Sequence, residues 1–277
     1  MRTWFITGAT RGFGALIAKE ALSRGDAVVA TGRKAESVTA ALGEHPHLLA
    51  VALDVTREAD AHAAVEQALA RFGRLDVLVN NAGFGLLSAV EEASAREVEA
   101  LYGTNVFGLL AVTRAVLPTM RRQHSGHVIN MSSVGGFTSG AGFSLYCSTK
   151  YAVEGISEGL ANEVEPLGVH VTSVQPGYFR TDFLDQTSLV KSERVIDDYA
   201  ATVGALRSQV EGINHNQPGD PAKLAKAIMV LADMQNPPRQ LALGSDTVRA
   251  QEEKSTRVAR ELEAHRALSL STDFSAA

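Results

Sequence analysis

Short apolar runs punctuate the chain: Trp4-Phe5-Ile6, Ala27 to Ala30, Leu48 to Leu53, Leu75 to Val79, His127 to Met131, Val169 to Val174 and Leu241 to Leu243. Each has the length of a strand, and longer segments with helical spacing of apolar residues separate them. Helices are expected from about Ala15 to Arg24, from near Arg57, from Ser94 to Arg122, through Tyr146, and from Pro221 to Ala232. Strands alternating with helices of this length predict an α/β fold built on a doubly wound parallel sheet flanked by helices. Ligands bind such sheets at the C-terminal ends of the strands. The segment 182–220 has mixed composition, with helical content near Lys191 to Val210, and reads as a cover over a substrate site. Residues 245–277 add a charged, helical extension. No internal repeat or low-complexity linker divides the 277 residues, so one domain spanning 1–277 is expected.

Composition narrows the class. Hydrophobic residues make up 45% of the chain, enough for a well-buried core, and the formal net charge is -5. An acidic balance without a Lys/Arg cluster argues against a nucleic-acid partner. The lone cysteine, Cys147, rules out an internal disulfide and fits a reducing compartment. The stretch before Gly8 is too short for a signal peptide, and no apolar run reaches membrane-spanning length. A soluble cytoplasmic protein with no membrane partner is expected.

The candidate chemistry begins where the first strand ends. Thr7-Gly8-Ala9-Thr10-Arg11-Gly12-Phe13-Gly14 lies between a strand and a helix, the context in which glycines indicate phosphate binding. Glycine permits a tight turn and a close backbone approach to a pyrophosphate, while the helix N-terminus offers free N–H groups. About 20 residues further on, an acid would bind the ribose 2′-OH of NAD. The chain instead has Thr31-Gly32-Arg33-Lys34 there. Arg33, with Arg11 and Lys34 assisting, points to a 2′-phosphate and hence to NADP(H). Asp54-Val55 and Asn80-Asn81-Ala82-Gly83 also fall at strand ends. Asp54 either meets a ligand there or caps the helix beginning near Arg57.

The second half supplies reacting groups. Tyr146 and Lys150 are four apart on a helix and share a face. A phenol of pKa near 10 is a poor acid or base at neutral pH, and an ammonium close by favours phenolate. An isolated pair at this spacing is commonplace; here Ser133 precedes Tyr146 by thirteen residues, and Asn105 sits inside a helix where Asn is a poor fit.

These motifs resemble the short-chain dehydrogenase/reductase family in its single-domain, non-extended branch. They are Thr7-Gly8-x-x-x-Gly12-x-Gly14, Asn80-Asn81-Ala82-Gly83, Asn105, Ser133, Tyr146-x-x-x-Lys150 and Pro176-Gly177-x-x-x-Thr181. Together they span the chain as far as about Asp182; the last third matches far less clearly, and Phe13 stands where the family more often has an aliphatic residue. The resemblance implies a Rossmann-type fold and assigns roles. Tyr146 exchanges a proton with the substrate oxygen. Lys150 lowers the phenol's pKa and bonds the nicotinamide ribose. Ser133 positions the oxygen, and Asn105 helps hold a water linking Lys150 to solvent. Asp54 contacts the adenine, Asn81 and Gly83 flank the cofactor, and Thr181 meets the carboxamide. Gly8, Thr10, Arg11, Gly12, Phe13, Gly14, Arg33, Val55, Ala82, Pro176 and Gly177 complete the expected cofactor site. Family members ending at the last strand commonly form tetramers, and the extension leaves a homo-oligomer open as dimer or tetramer.

Phe84, Phe137, Phe143, Phe179 and Phe183 follow the strand ends and are expected to line a substrate pocket. Apolar walls suit a neutral, hydrophobic secondary alcohol or ketone. Gly155-Ile156-Ser157-Glu158-Gly159 matches a hydrolase pattern, yet Ser157 lies within the Tyr146 helix rather than at a strand-to-helix turn. His45 with His47, and His124 with His127, have no recognisable zinc partners, so no metal is expected. A non-catalytic NADP(H)-binding sensor is the rival reading; it would keep the glycine turn without needing Ser133, Tyr146, Lys150 and Asn105 together.

Overall fold

The computed structural model describes residues 1–274. In chain order its elements are β1 (Thr3–Ile6), α1 (Gly12–Ser23), β2 (Ala27–Gly32), α2 (Ala35–Leu42), β3 (Leu48–Ala52), α3 (Glu58–Phe72), β4 (Val77–Asn80) and β5 (Gly85–Leu87). There follow α4 (Ala95–Tyr102), α5 (Leu109–Gln123), β6 (Gly126–Met131), α6 (Ser144–Val164), β7 (Val169–Pro176), β8 (Leu189–Lys191) and α7 (Ala205–Ile213). The chain closes with α8 (Pro221–Asp233), β9 (Gln240–Leu243), α9 (Ser245–Ala264) and α10 (Arg266–Leu270). Seven parallel strands form one sheet in the order β3-β2-β1-β4-β6-β7-β9. The order reverses between β1 and β4, which makes their C-terminal ends the switch point where ligands bind.

Most strand positions in the sheet are apolar because helices cover both faces. Side chains alternate along a strand. Trp4 and Ile6 therefore pack with Val28, Val79 and Ile129 against Ile17 of α1 and Ile228 of α8. Phe5 points the other way, joining Val29, Leu78 and Val128 against Val65 of α3 and Val112 and Val116 of α5. Local signals set the helix ends. Ser94 and Glu97 form a reciprocal capping box on α4, and Asp220 caps α8 ahead of Pro221.

The structure departs from the sequence expectations in places. The continuous helix expected from Ser94 to Arg122 is broken by a π-helical turn over Gly103–Gly108. By length and composition Ala95–Gln123 could cross a membrane, contrary to expectation, but 56% of its most apolar window is buried inside the fold, as a core helix is. A second, two-stranded parallel sheet joins β5 to β8 and was not anticipated.

Candidate active site

The floor of the site is the turn between β1 and α1. Gly8 and Gly12 have φ of +66° and +54°, in the left-handed region that disfavours side chains. A Cβ on Gly14 would collide with the Gly8 carbonyl oxygen. Thr7 stitches this turn to the one after β4: its hydroxyl accepts from Asn81 N at 2.9 Å and Ala82 N at 3.0 Å. Asn81 Nδ2 returns bonds of 3.0 Å to the Thr7 and Gly8 carbonyls. Both turns face a cavity of about 1080 Å³.

Gly8, Thr10, Arg11, Gly12, Phe13, Arg33, Asp54, Val55, Asn81, Ala82, Gly83, Pro176, Gly177 and Thr181 line this cavity, together with Ser133, Tyr146 and Lys150. Gly14 stands behind the wall, where it lets α1 approach the turn. Lys34 is not on the cavity, and the Arg11 guanidinium donates to Thr187 Oγ1 at 2.6 Å and Thr187 O at 2.8 Å. Asp54 does not cap α3. Its carboxylate accepts from Thr56 N at 3.0 Å and Thr56 Oγ1 at 2.7 Å, bonds that hold it below the usual carboxylate range with help from Arg33.

Tyr146 and Lys150 are buried on the first turns of α6. The Ser133 hydroxyl hydrogen-bonds the Tyr146 phenol and also accepts from Gly135 N at 3.0 Å. The Lys150 ammonium lies 5.8 Å from the Tyr146 ring centroid and donates to Met131 O at 2.8 Å. Burial dominates here. It pushes the phenol above its ordinary value against the Ser133 bond, and pushes Lys150 down to about 8. In this arrangement burial outweighs any lowering of the phenol by Lys150, whose ammonium is turned to Met131.

Asn105 lies just behind the cavity, in the π-helical turn, and is 2% exposed. The wider turn leaves backbone groups without α-helical partners and presents a side chain inward. Asn105 Oδ1 accepts from Phe84 N at 3.0 Å, and Nδ2 donates to Phe84 O at 2.9 Å and Thr149 Oγ1 at 3.1 Å. It thus ties the loop after β4 to the helix bearing Tyr146.

Phe84, Phe143, Phe179 and Phe183 line the cavity; the Phe183 ring centroid is 5.5 Å from that of Tyr146. Phe137 does not. Its ring lies under the Lys254 ammonium of α9 at 5.2 Å, and its carbonyl accepts from Lys254 Nζ and from Tyr151 Oη, both at 2.5 Å. The cations on the wall among the described residues are Arg11, Arg33 and Lys150. Arg180 is turned away, donating to Gln217 O at 3.2 Å. Sequence reasoning did not single out Thr187, Ser188, Val190, Leu206 and Gln209, which close the cavity from 182–220, or Asp246 and Ala250 from α9. Only contacts far apart in the chain identify them.

Ser157 is structural: its hydroxyl donates to Val153 O at 2.7 Å and accepts from Asn130 Nδ2 at 2.9 Å inside α6. Among the described residues no His, Cys, Asp and Glu cluster could hold a metal ion.

A glycine-rich turn at the switch point of a parallel sheet makes this a Rossmann-fold protein. The family model for short chain dehydrogenase matches residues 2–191, and the chain belongs to that family of oxidoreductases. It is 38% identical to a 3-ketodihydrosphingosine reductase from Bacteroides thetaiotaomicron, over 86% of each chain. A short-chain dehydrogenase from Streptomyces avermitilis superposes with a TM-score of 0.91 at 42% identity, over 99% of this chain and 100% of that one. A 3-ketoacyl-(acyl-carrier-protein) reductase from Brucella melitensis, solved with NADH, gives a TM-score of 0.74 at 28% identity, over 87% and 96% of the two chains.

Proposed function

We propose that the protein is a cytoplasmic, NADP(H)-dependent oxidoreductase acting on a neutral, apolar secondary alcohol or its ketone. One observation carries the reading: Ser133, Tyr146 and Lys150 open into the same cavity as the glycine turn. The crowding at Gly8 and Gly14, and the left-handed Gly8 and Gly12, suit a cradle for a pyrophosphate. Arg33, exposed at the adenosine end, supports a 2′-phosphate. When bound, the nicotinamide cofactor supplies or accepts the hydride. The protein's own residues handle the proton. Ser133 orients the substrate oxygen beside the Tyr146 phenol. Tyr146 is the group placed to give its proton to a carbonyl oxygen, and the burial that opposes phenolate has to be offset by positive charge beside it. Lys150 holds positive charge next to the phenolate left behind, and Asn105 fixes the helix that carries both.

The substrate class follows from the wall. Phe143, Phe183, Leu184 and Leu206 are apolar, and among the described residues the only cations on the cavity wall besides Lys150 are Arg11 and Arg33. A carboxylate or phosphate in a desolvated site needs a charged partner. Both named reductases among the similar proteins act on 3-keto compounds, which supports a ketone. The segment 182–220 is read as the cover over this pocket, and a homo-oligomer as the working assembly. The experiment follows NADPH absorbance with a ketone series of rising apolar size, against keto acids and sugar derivatives. Rising kcat/KM with apolar size is expected; a preference for the charged or sugar compounds would refute the pocket reading.

A further inference from the structure

Lys150 raises a question that its role in catalysis does not answer. Its ammonium is buried and makes one hydrogen bond, to a neutral carbonyl. Desolvation favours loss of that proton. One turn further along α6, on the same face, lies Glu154, which is 9% exposed. Its Oε2 accepts from Ser173 Oγ at 2.7 Å and Gln240 Nε2 at 3.2 Å, while Oε1 is buried without a partner. Ser132 Oγ and Gln175 Nε2 are likewise buried and unpartnered. Gly136 leaves the room between them: a Cβ there would lie 2.5 Å from Ser132 Oγ and 3.0 Å from Glu154 Oε1. A buried, half-satisfied carboxylate is costly unless it answers a cation.

We propose that Glu154 is a positioning residue that keeps Lys150 protonated, acting on it from one helical turn away. The inference rests on reading Tyr146 and Lys150 as the catalytic pair. No contact ion pair joins Lys150 and Glu154 among the described residues; the carboxylate acts through a low-dielectric interior, where such interactions reach further than in water. The other titratable groups around the site are Tyr146, Cys147 and Tyr151 on α6, Tyr178 after β7, and Asp246 and Lys254 on α9. Asp246 is engaged with Tyr178 N at 2.7 Å. Burial drives Lys150 down to about 8, and Glu154 is the charge that opposes the fall.

The test has two arms. Melting temperatures are compared for wild type, E154Q, K150M and the double variant. E154Q is expected to lower Tm in the wild-type background and far less in the K150M background, since a carboxylate held for a cation is not missed once the cation is gone. An equal drop in both backgrounds overturns the proposal. The second arm follows kcat/KM for ketone reduction against pH. Without the carboxylate Lys150 loses its proton earlier, so E154Q is expected to move the alkaline limb to lower pH by about one unit or more. E154D, which keeps the charge, is expected to return it toward wild type, and an unmoved limb in E154Q overturns the proposal. If E154Q does not fold alone, folding of the double variant supports the proposal and its failure overturns it. Turnover surviving in Y146F would instead sink the catalytic reading, while the stability arm still reports on Lys150 and Glu154.

Discussion

Arg207→Ala tests what holds the 182–220 segment over the cavity. The Glu92 side chain is fully buried and Arg207 is 17% exposed, with Nη2 to Oε2 at 2.5 Å. Glu92 also accepts from Ala89 N at 2.8 Å and Ile196 N at 3.0 Å. Burial pushes its carboxyl up, but the bonds from Ile196, Ala89 and Arg207 outweigh that and hold it below the ordinary range. Removing one partner of a buried pair costs about 3–5 kcal/mol. The two backbone donors remain in the variant, so the lower end applies. A loss of about 3 kcal/mol is roughly a hundredfold in the ratio of docked to undocked segment. The assay is hydrogen exchange at the Ile196 amide with limited proteolysis across 190–215. Protection at Ile196 should fall by about that factor, and KM for an apolar ketone should rise more than kcat falls. Unchanged protection at Ile196 would refute the reasoning. The sign with pH is fixed: a carboxyl depressed in the folded state stabilises above its unfolded value and stops doing so as pH falls through the folded one. Wild-type protection at Ile196 should therefore hold at neutral pH and fail only in acid, below the ordinary carboxylate range.

Tyr146→Phe keeps the ring and removes the exchangeable proton; turnover should drop by roughly 10²–10⁴-fold with NADPH affinity nearly intact, as read by steady-state kinetics and fluorescence titration. Arg33→Asp should weaken NADPH binding by about 1.5–3 kcal/mol, the value of a charged hydrogen bond, and improve use of NADH; equal wild-type affinity for both cofactors would count against the assignment. Gly14→Ala should abolish cofactor binding while leaving a folded protein by circular dichroism, because its Cβ would meet the Gly8 carbonyl in the turn rather than in the core.

The strands were legible because β1, β2 and β4 are short apolar runs closed by turns, and both core faces follow from their alternation. The glycine turn, Ser133 and Tyr146 were legible because each lies at a strand end or one helix turn from its partner. What escaped depends on distance in the chain. Phe137 follows Ser133 and so reads as a pocket residue, yet Lys254, 117 positions away, draws it outward. The β5–β8 pairing joins three-residue strands with no periodicity to read. Thr187, 176 positions from Arg11, could not be guessed from either segment. Asn105 was conspicuous as a misfit in a helix, but apolar spacing does not reveal that the helix widens there.

That widening at Gly103–Gly108 makes the site a matter of counting. A π turn accommodates one residue more than an α turn. Deleting one of these residues other than Asn105 would let α4 and α5 fuse into one regular helix with both ends still in phase, and the bulge that carries Asn105 inward would be lost. Val112, Val116 and Met120 lock α5 into the core, so the change would fall on Asn105 and its bonds to Phe84 and Thr149. Tyr102, whose hydroxyl donates to Ser148 at 2.8 Å, would still hold α4 to the helix that bears Tyr146, while the Asn105 tie beside it is lost. Here the number of residues is under as much constraint as their kinds, and a one-residue gap that spares Asn105 would still take its side chain out of place.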